Sequence, residues 1–151
     1  MSRPGATPTS TGKNNSGTRV LVVEDFADNR DLLTEYLTFR GFTVTAVPDG
    51  EAALRSVREQ RPDVILMDLR MPGLDGWQAT RQLKADPTTA TVPVVAVTAH
   101  ALRPEVESAR EAGCDALVAK PFDITALADA LETFKTDGLG VFERPGLALK
   151  V

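Results

Sequence analysis

Residues 63–76 read DVILMDLRMPGLDG and carry the clearest structural signal in the chain. The apolar run that begins at Val64 contains no polar position until Asp68, which is typical of a strand covered on both faces. A Pro72-Gly73 turn follows closely, so the strand ends at the acid. Taken alone, an acid here could simply cap a loop. In an open parallel sheet, however, ligands bind beyond the carboxyl ends of the strands, which is where we expect the Asp68 carboxylate to lie.

Length and composition favour one globular domain in a reducing compartment. The chain has 151 residues, 42% of them hydrophobic, which is enough material for a single core. A net charge of -4 with scattered basic residues argues against direct nucleic-acid binding, and no apolar run approaches the roughly 20 residues of a membrane span. The single cysteine, Cys114, excludes an internal disulfide, and no signal peptide begins the chain. We expect a cytoplasmic protein with no membrane association.

Five segments with strand patterns alternate with five segments with helix patterns. The predicted strands are residues 19–23, 42–46, 64–68, 92–97 and 115–119. The predicted helices are residues 28–40, 49–60, 75–85, 104–111 and 123–134. This alternation predicts an α/β fold of the flavodoxin-like kind, a doubly wound five-stranded parallel sheet with five helices on its two faces. The strand order 2-1-3-4-5 places the apolar strands at the centre and the mixed strand 42–46 at an edge.

The sequence divides into a central domain and two flanking tails. Residues 1–18 are rich in Ser, Thr, Gly, Pro and Asn and have almost nothing to bury, so we predict a disordered N-terminal tail. Residues 19–135 form the predicted domain. Residues 136–151 are too few for a further domain and form a short C-terminal tail. This tail is either flexible or packs its apolar residues, at 141–142 and 147–149, against some surface.

Polar side chains follow four of the five predicted strands. Glu24 and Asp25 follow the first, Asp68 ends the third, Thr98 comes directly after the fourth and Lys120 follows the fifth. Because parallel strands bring their carboxyl ends to one edge of the sheet, these side chains should converge. Three carboxylates within a few ångströms repel one another by roughly a few kcal/mol per pair and require a cation. Mg²⁺ suits such hard oxygen donors.

A site of this composition has the groups needed to hold a phosphoryl group. A divalent ion and the Lys120 ammonium would neutralise its charge, and the Thr98 hydroxyl would donate to one of its oxygens. The Asp68 carboxylate would then act as the nucleophile and form an acyl phosphate. The residues alone therefore indicate phosphoryl chemistry at the edge of the sheet.

At these residues the chain resembles the receiver domain of two-component response regulators, of the stand-alone type without an output domain. The matching pieces are VLVVEDFADNR (20–30), DVILMDLRMPGLDG (63–76), VVAVTAHA (94–101) and AGCDALVAKPFD (112–123). The resemblance implies that Asp68 is the phosphoacceptor and that Glu24 and Asp25 are the acidic pair of the family. It also implies that Asp25, Asp68 and the backbone carbonyl of Arg70 bind Mg²⁺ directly, with Glu24 acting mainly through water.

The resemblance assigns further residues to phosphate binding and switching. Thr98 matches the switch hydroxyl, Lys120 the phosphate-binding lysine, and Pro121 the proline of a cis Lys-Pro bond. Leu117 departs from the family pattern, in which Tyr or Phe usually stands three residues before the lysine. An ordinary strand residue is therefore expected at position 117 in place of an aromatic switch.

Two more positions flank the phosphoryl group in the family. They lie two residues after Asp68 and two residues after Thr98, and are occupied here by Arg70 and His100. A long cationic side chain at position 70 could cover the phosphoryl group and hinder the approach of water. For His100, the only histidine of the chain, a role as metal ligand or base competes with that of an exposed loop residue.

The leading hypothesis is a signalling protein. It would take a phosphoryl group from a phosphohistidine on a histidine kinase or a histidine phosphotransfer protein, and would signal to a downstream protein target through a phosphorylation-dependent surface. It would not be an enzyme beyond promoting its own phosphorylation and dephosphorylation. One alternative is a metal-dependent phosphatase with an Asp nucleophile, which would need a second Asp where Arg70 stands. Another is a receiver-like scaffold that works without phosphorylation.

Overall fold

The computed structural model describes residues 17–99 and 102–147, and over these residues the chain forms a five-stranded parallel sheet. The strands are β1 (Arg19–Val23), β2 (Thr43–Val47), β3 (Val64–Asp68), β4 (Val94–Thr98) and β5 (Ala116–Ala119). Their order, β2-β1-β3-β4-β5, confirms the predicted flavodoxin-like fold. The predictions made for His100, for residues 1–16 and for residues 148–151 lie outside the described residues.

The central strands explain why the chain folds around residue 68. All five residues of β3 and all five of β4 are buried, so neither strand tolerates a polar residue before its last position. β2, at one edge of the sheet, stays exposed or half-exposed along its length, in agreement with its mixed composition. Both faces of β3 and β4 are thus covered. Polar side chains of these two strands can therefore lie only at the edge of the sheet where the strands end.

Five α-helices accompany the strands in the described part of the chain. They are α1 (Ala27–Phe39), α2 (Gly50–Glu59), α3 (Gly76–Ala85), α4 (Arg103–Ala112) and α5 (Ile124–Asp137). Three begin at a capping aspartate, because the carboxylates of Asp49, Asp75 and Asp123 accept hydrogen bonds from N–H groups of the first turn. α4 ends at Gly113, whose φ of +106° lies in the left-handed region. None of the described helices is both long and apolar enough to cross a membrane.

Three strands begin later than the sequence predicts. The fifth begins one residue late, at Ala116, and the other two begin late because their first backbone groups are engaged elsewhere. The apolar pattern predicts a fourth strand from Val92, but this residue donates its N–H to the preceding turn and Pro93 has no N–H, so β4 begins at Val94. The second strand is predicted from Phe42. The N–H of Phe42 binds the carbonyl of Leu37 at the end of α1, and β2 begins one residue later.

The core has one layer on each face of the sheet. α1 and α5 pack on one face, and α2, α3 and α4 pack on the other. Successive residues of each strand serve the two layers in turn, since Val20 and Val22 face α1 and α5 whereas Leu21 and Val23 face the other helices. This alternation fixes the register of the strands and holds their carboxyl ends at one edge.

The chain stays ordered past residue 135, where the sequence predicts the end of the domain. α5 runs to Asp137, and a 3₁₀ helix (Leu139–Glu143) follows. Residues 139–147, called the C-terminal segment below, bury three apolar side chains in the layer that contains α1 and α5. These side chains are Val141, Phe142 and Leu147. The segment therefore contributes to the core of the described chain.

Backbone hydrogen bonds fix the far end of the C-terminal segment. The Leu147 carbonyl accepts from the N–H of Ala119 in β5, and the Gly146 carbonyl accepts from the N–H of Asp123, at 3.0 Å each. These two donors lie on either side of Lys120. The outer edge of β5 is partly covered as a result, whereas a bare edge strand would present its backbone groups to other chains.

Candidate functional site

Three carboxylates meet where β1 and β3 end. Glu24 and Asp25 follow β1, Asp68 ends β3, and the two strands are neighbours in the sheet. One carboxylate oxygen from each residue lies within 4.8 Å of the other two. Glu24 and Asp68 are buried, whereas Asp25 is exposed to solvent. The convergence expected from the sequence is therefore present in the structure.

Lys120, which follows the edge strand β5, also contacts this acidic cluster. Its Nζ donates to Glu24 Oε1 and to Asp68 Oδ2, at 3.2 Å in both cases. The backbone N–H of Lys120 donates to the Thr98 carbonyl at 2.9 Å, which fixes the base of the long side chain. The Lys120-Pro121 peptide is cis, as the resemblance implies.

The loop after β3 folds back tightly on Asp68. The N–H of Arg70 donates to Asp68 Oδ1 at 3.2 Å, so that the carboxylate is held by its own loop as well as by Lys120. Gly76 begins α3 directly against this loop, and a Cβ atom at position 76 would lie 2.4 Å from the carbonyl oxygen of Asp68. Only glycine fits there, which explains the last letter of the DVILMDLRMPGLDG stretch.

Burial and charge give the two buried acids different pKa values. Burial raises the pKa of Asp68, Lys120 opposes this rise and the Glu24 charge adds to it, with a result of about 6. Burial would also raise the pKa of Glu24, but the N–H of Phe26 and the Lys120 ammonium outweigh it, and the pKa of Glu24 lies below its ordinary value. Burial lowers the pKa of Lys120, but the carboxylates of Asp68 and Glu24 outweigh this effect. The pKa of Lys120 therefore lies above its ordinary value.

The donor set fits a hard divalent cation. The three carboxylates of Glu24, Asp25 and Asp68 lie close enough to share one ion, and all of their donor atoms are oxygens. Since Asp25 is exposed, solvent has access to this side of the cluster, and Mg²⁺ normally keeps several waters. Lys120 is the cation that pairs with these carboxylates among the described residues, and one ammonium cannot neutralise all three, so the cluster retains negative charge for such an ion.

Thr98 and Leu117 lie where the strand pattern puts them. Thr98 is the last residue of β4 and is 2% exposed, next to the strand that ends in Asp68. Leu117 is buried in β5 within the core layer of α2, α3 and α4. It packs as an ordinary strand residue, and its side chain belongs to the core below the site edge.

The side chain of Arg70 points to a residue that the sequence did not indicate. Its Nη2 lies 2.6 Å from Glu105 Oε1 in the first turn of α4, and its guanidinium carbon lies 5.7 Å from the centre of the Trp77 ring. No local pattern signals the contact between Arg70 and Glu105, because 35 positions separate them and both are common surface residues. Trp77 is half-buried beside the core, and the Arg70 guanidinium lies over its ring.

Comparison with known proteins places this fold and site in one family. The sequence model of the response regulator receiver domain family matches residues 20–132 of this chain. The chain therefore belongs to the response regulator receiver domain family. The members of this family are signalling modules, which agrees with a cluster of acids and a lysine at the edge of a 2-1-3-4-5 sheet.

Individual relatives support the assignment by sequence and by structure. The chain is 34% identical over 118 residues to the polar-differentiation response regulator DivK of Brucella anthropi, which covers 78% of this chain and 96% of that protein. It is similar to the receiver domain of a sensor histidine kinase of Pseudomonas aeruginosa, solved with a magnesium ion coordinated in the active site cleft. The identity is 39%, the TM-score 0.68, and the coverage 77% of this chain and 95% of that chain.

A third relative shares the fold at similar identity. The signal receiver domain of a histidine kinase from Syntrophus aciditrophicus is 31% identical, with a TM-score of 0.71 over 76% of this chain and 87% of that chain. This chain thus spans nearly the whole of the receivers that it resembles.

Proposed function

We propose that this chain is a phosphoacceptor response regulator, in which Asp68 takes a phosphoryl group from a phosphohistidine and the phosphorylated form signals by binding another protein. The observation that carries the proposal is the position of the Lys120 ammonium, which contacts Asp68 and Glu24 beside a cluster of three carboxylates. A buried aspartate with a lysine and a cation site beside it has a nucleophile and the charges to stabilise a phosphoryl group.

The transfer step uses Asp68 as the attacking group. One Oδ of Asp68 forms a bond to phosphorus while the P–N bond to the donor imidazole breaks and its electron pair stays on the imidazole nitrogen. Lys120 then pairs with a phosphoryl oxygen in place of the carboxylate, and the Thr98 hydroxyl donates to another. Hydrolysis reverses the modification, since water attacks phosphorus, the bond to Asp68 breaks, and inorganic phosphate leaves.

Mg²⁺ is the proposed cofactor. The residues that would hold it are Glu24, Asp25, Asp68 and the backbone carbonyl of Arg70, and the close approach of the three carboxylates supports this set. When bound, the ion supplies positive charge that offsets the oxygens of the transferred group. The ordering of the Arg70 loop by Asp68 and Gly76 supports the participation of a backbone carbonyl from this loop.

An open apolar groove beside the site is the proposed seat of the phosphohistidine donor, a histidine kinase or a histidine phosphotransfer protein. The groove has a volume of about 480 Å³ and runs between α1 and the residues after β5, and its lining includes Leu32, Phe122 and Lys120. Phe26 and Leu32, near the start of α1, are 57% and 59% exposed. A partner seated on them would bring its phosphohistidine within reach of Asp68.

The proposed output surface consists of α4, β5 and α5, over residues 103–134, with the C-terminal segment covering part of it. Thr98 would couple phosphorylation to this surface, because Leu117 provides no aromatic ring for the purpose. His100 and Pro121 would influence the site from its margins. In this scheme the chain catalyses only changes in its own phosphorylation, and its downstream target is a protein.

Phosphorylation of the Asp68→Asn variant tests the proposed function. Asparagine has the same shape but cannot attack phosphorus, so acetyl phosphate with Mg²⁺ should add a phosphoryl group to the wild-type protein and to an Asp28→Asn control, but not to the variant. Mass spectrometry of the intact proteins measures this, and circular dichroism checks the fold. Undiminished labelling of Asp68→Asn would identify another nucleophile. Steady release of phosphate from p-nitrophenyl phosphate would favour the phosphatase alternative.

A further inference from the structure

Arg70 connects the phosphoacceptor to helix α4 through two different parts of one residue. Its backbone N–H donates to Asp68 Oδ1, whereas its side chain leaves the site and binds Glu105 at 2.6 Å. Glu105 belongs to the first turn of α4, on the same face of the sheet as α3. The pair therefore bridges the loop after β3 and the beginning of α4, with the ring of Trp77 beneath it.

Glu105 depends on Arg70 for the compensation of its charge. Its side chain is only 18% exposed, and its second oxygen, Oε2, is buried without a hydrogen-bond partner among the described residues. A desolvated carboxylate oxygen without a partner costs free energy, so the Arg70 guanidinium is the group that makes this position tolerable for Glu105. Loss of the guanidinium would favour a movement of Glu105, and with it the first turn of α4, toward solvent.

A phosphoryl group on Asp68 would compete for the same guanidinium. It carries close to two negative charges and three acceptor oxygens, and arginine binds such a group through two parallel hydrogen bonds. Glu105 offers a single short contact. Because the Arg70 backbone is already hydrogen-bonded to the Asp68 carboxylate, rotation of the side chain is the movement that the exchange requires.

We propose that Glu105 is a positioning residue for Arg70. Glu105 holds the Arg70 guanidinium away from Asp68 until a phosphoryl group on Asp68 binds this guanidinium, and the exchange frees the first turn of α4. This inference rests on the proposed function, since it needs a phosphoryl group on Asp68. It explains how a chain without an aromatic residue at position 117 transmits phosphorylation to α4. It also means that the lifetime of the phosphoryl group depends on how strongly Glu105 retains Arg70.

Trp77 provides a spectroscopic reporter of this exchange. It is the only tryptophan of the chain, and the Arg70 guanidinium lies over its ring. Indole fluorescence depends on nearby charge, so departure of Arg70 should change the emission of Trp77. A merely structural role of Glu105 would not couple this emission to phosphorylation.

The experiment compares Glu105→Gln with Glu107→Gln in the full chain. Both variants lose one negative charge from α4, but Glu107 is exposed. With acetyl phosphate and Mg²⁺, wild type and Glu107→Gln should show a change in Trp77 emission that follows phosphorylation of Asp68. In Glu105→Gln the Trp77 emission should already be shifted before phosphorylation. Phosphorylation should then change this emission by less than about half of the change in wild type. The phosphoryl group of Glu105→Gln should be lost roughly two- to fivefold more slowly, which corresponds to one surface ion pair.

Two outcomes would overturn the inference, and they are distinguishable from each other. If Glu105→Gln is phosphorylated, with the emission change and the dephosphorylation rate of wild type, the Arg70–Glu105 pair plays no part and the proposed function stands. If wild type itself takes up no phosphoryl group, the proposed function fails and the role of Glu105 fails with it. Mass spectrometry of each sample separates the two cases.

Discussion

The Asp68 carboxylate lies between a lysine that stabilises its charge and a glutamate that opposes it. Lys120 is shared with Glu24, so that one ammonium serves two buried carboxylates. Burial adds a desolvation penalty, and the pKa of Asp68 reaches about 6 as a consequence. In the absence of a metal ion, the folded protein therefore loses stability when Asp68 ionises.

The pH dependence of stability should reveal this penalty. The folded protein keeps a proton on Asp68 up to about pH 6, whereas the unfolded chain releases it near the ordinary pKa of 3.8, so stability falls as the pH rises through this window. Asp68→Asn cannot ionise. We expect its stability relative to wild type to rise by about 1 to 3 kcal/mol between about pH 4 and about pH 7 in EDTA. Urea denaturation measures the difference, and one that does not vary with pH would refute the expected penalty.

The position of a site residue could be predicted from the sequence where the residue ends a strand. The direction of a side chain could not be predicted where it depends on a contact with another element. Asp68, Thr98 and Lys120 end apolar runs, and parallel strands leave one place for them to meet. The direction of the Arg70 side chain had no such constraint. It depends on Glu105, a residue on another element whose contact leaves no trace in the local sequence.

At the level of elements, the C-terminal segment is the largest addition to the predicted domain. Phe142 is fully buried, and its ring centre lies 6.2 Å from that of Phe134 in α5. Leu147 is 1% exposed and is tied to β5 through its carbonyl. Side chains buried to this extent contribute to stability as core residues do.

Phe142→Ala should therefore behave as a core mutation although it lies outside the predicted domain limits. Removal of a buried aromatic side chain leaves a cavity, and we expect a loss of about 3 to 5 kcal/mol in the free energy of unfolding. The exposed neighbour Glu143 supplies the control, since Glu143→Ala should change stability by less than about 0.5 kcal/mol. Urea denaturation of both variants is the measurement. A cost below about 1 kcal/mol for Phe142→Ala would mean that the segment is not packed in solution.

Most elements could be predicted because each one satisfies a local rule. Asp49, Asp75 and Asp123 cap the helices that their positions indicate, and the apolar runs became β3 and β4. The 3₁₀ helix could not be predicted, since five residues are too few to show a period. Whether its apolar residues packed or remained free depended on their contacts with α5 and β5, which only the folded chain reveals.

For the molecule as a whole, the acidic cluster leads us to expect that stability depends on divalent ions. Its three carboxylates come from two strands, so an ion bound between them links β1 and β3 in the folded state only. Binding to the native state alone raises the free energy of unfolding by mass action. Binding of the proposed Mg²⁺ would thus be thermodynamically coupled to folding.

Mg²⁺ should accordingly stabilise the wild-type protein and fail to stabilise Asp25→Asn. At ten times its dissociation constant the ion should add about 1.4 kcal/mol to the free energy of unfolding. Asp28→Asn removes an exposed acid of α1 outside the cluster and should respond to Mg²⁺ as wild type does. Thermal denaturation with and without Mg²⁺ measures the effect. Equal stabilisation of Asp25→Asn would place the ion elsewhere.

The C-terminal segment also determines what another protein meets on the outer side of β5. Glu143 and Pro145 are exposed and Arg144 is half-buried, in a segment that begins after the family match ends at residue 132. Cells that contain several receivers must keep their pathways apart, although the receivers share one fold. Here the surface next to β5 is formed partly by residues that lie outside the family match. Crosstalk between pathways would thus be limited by a short piece of chain laid over an otherwise common edge.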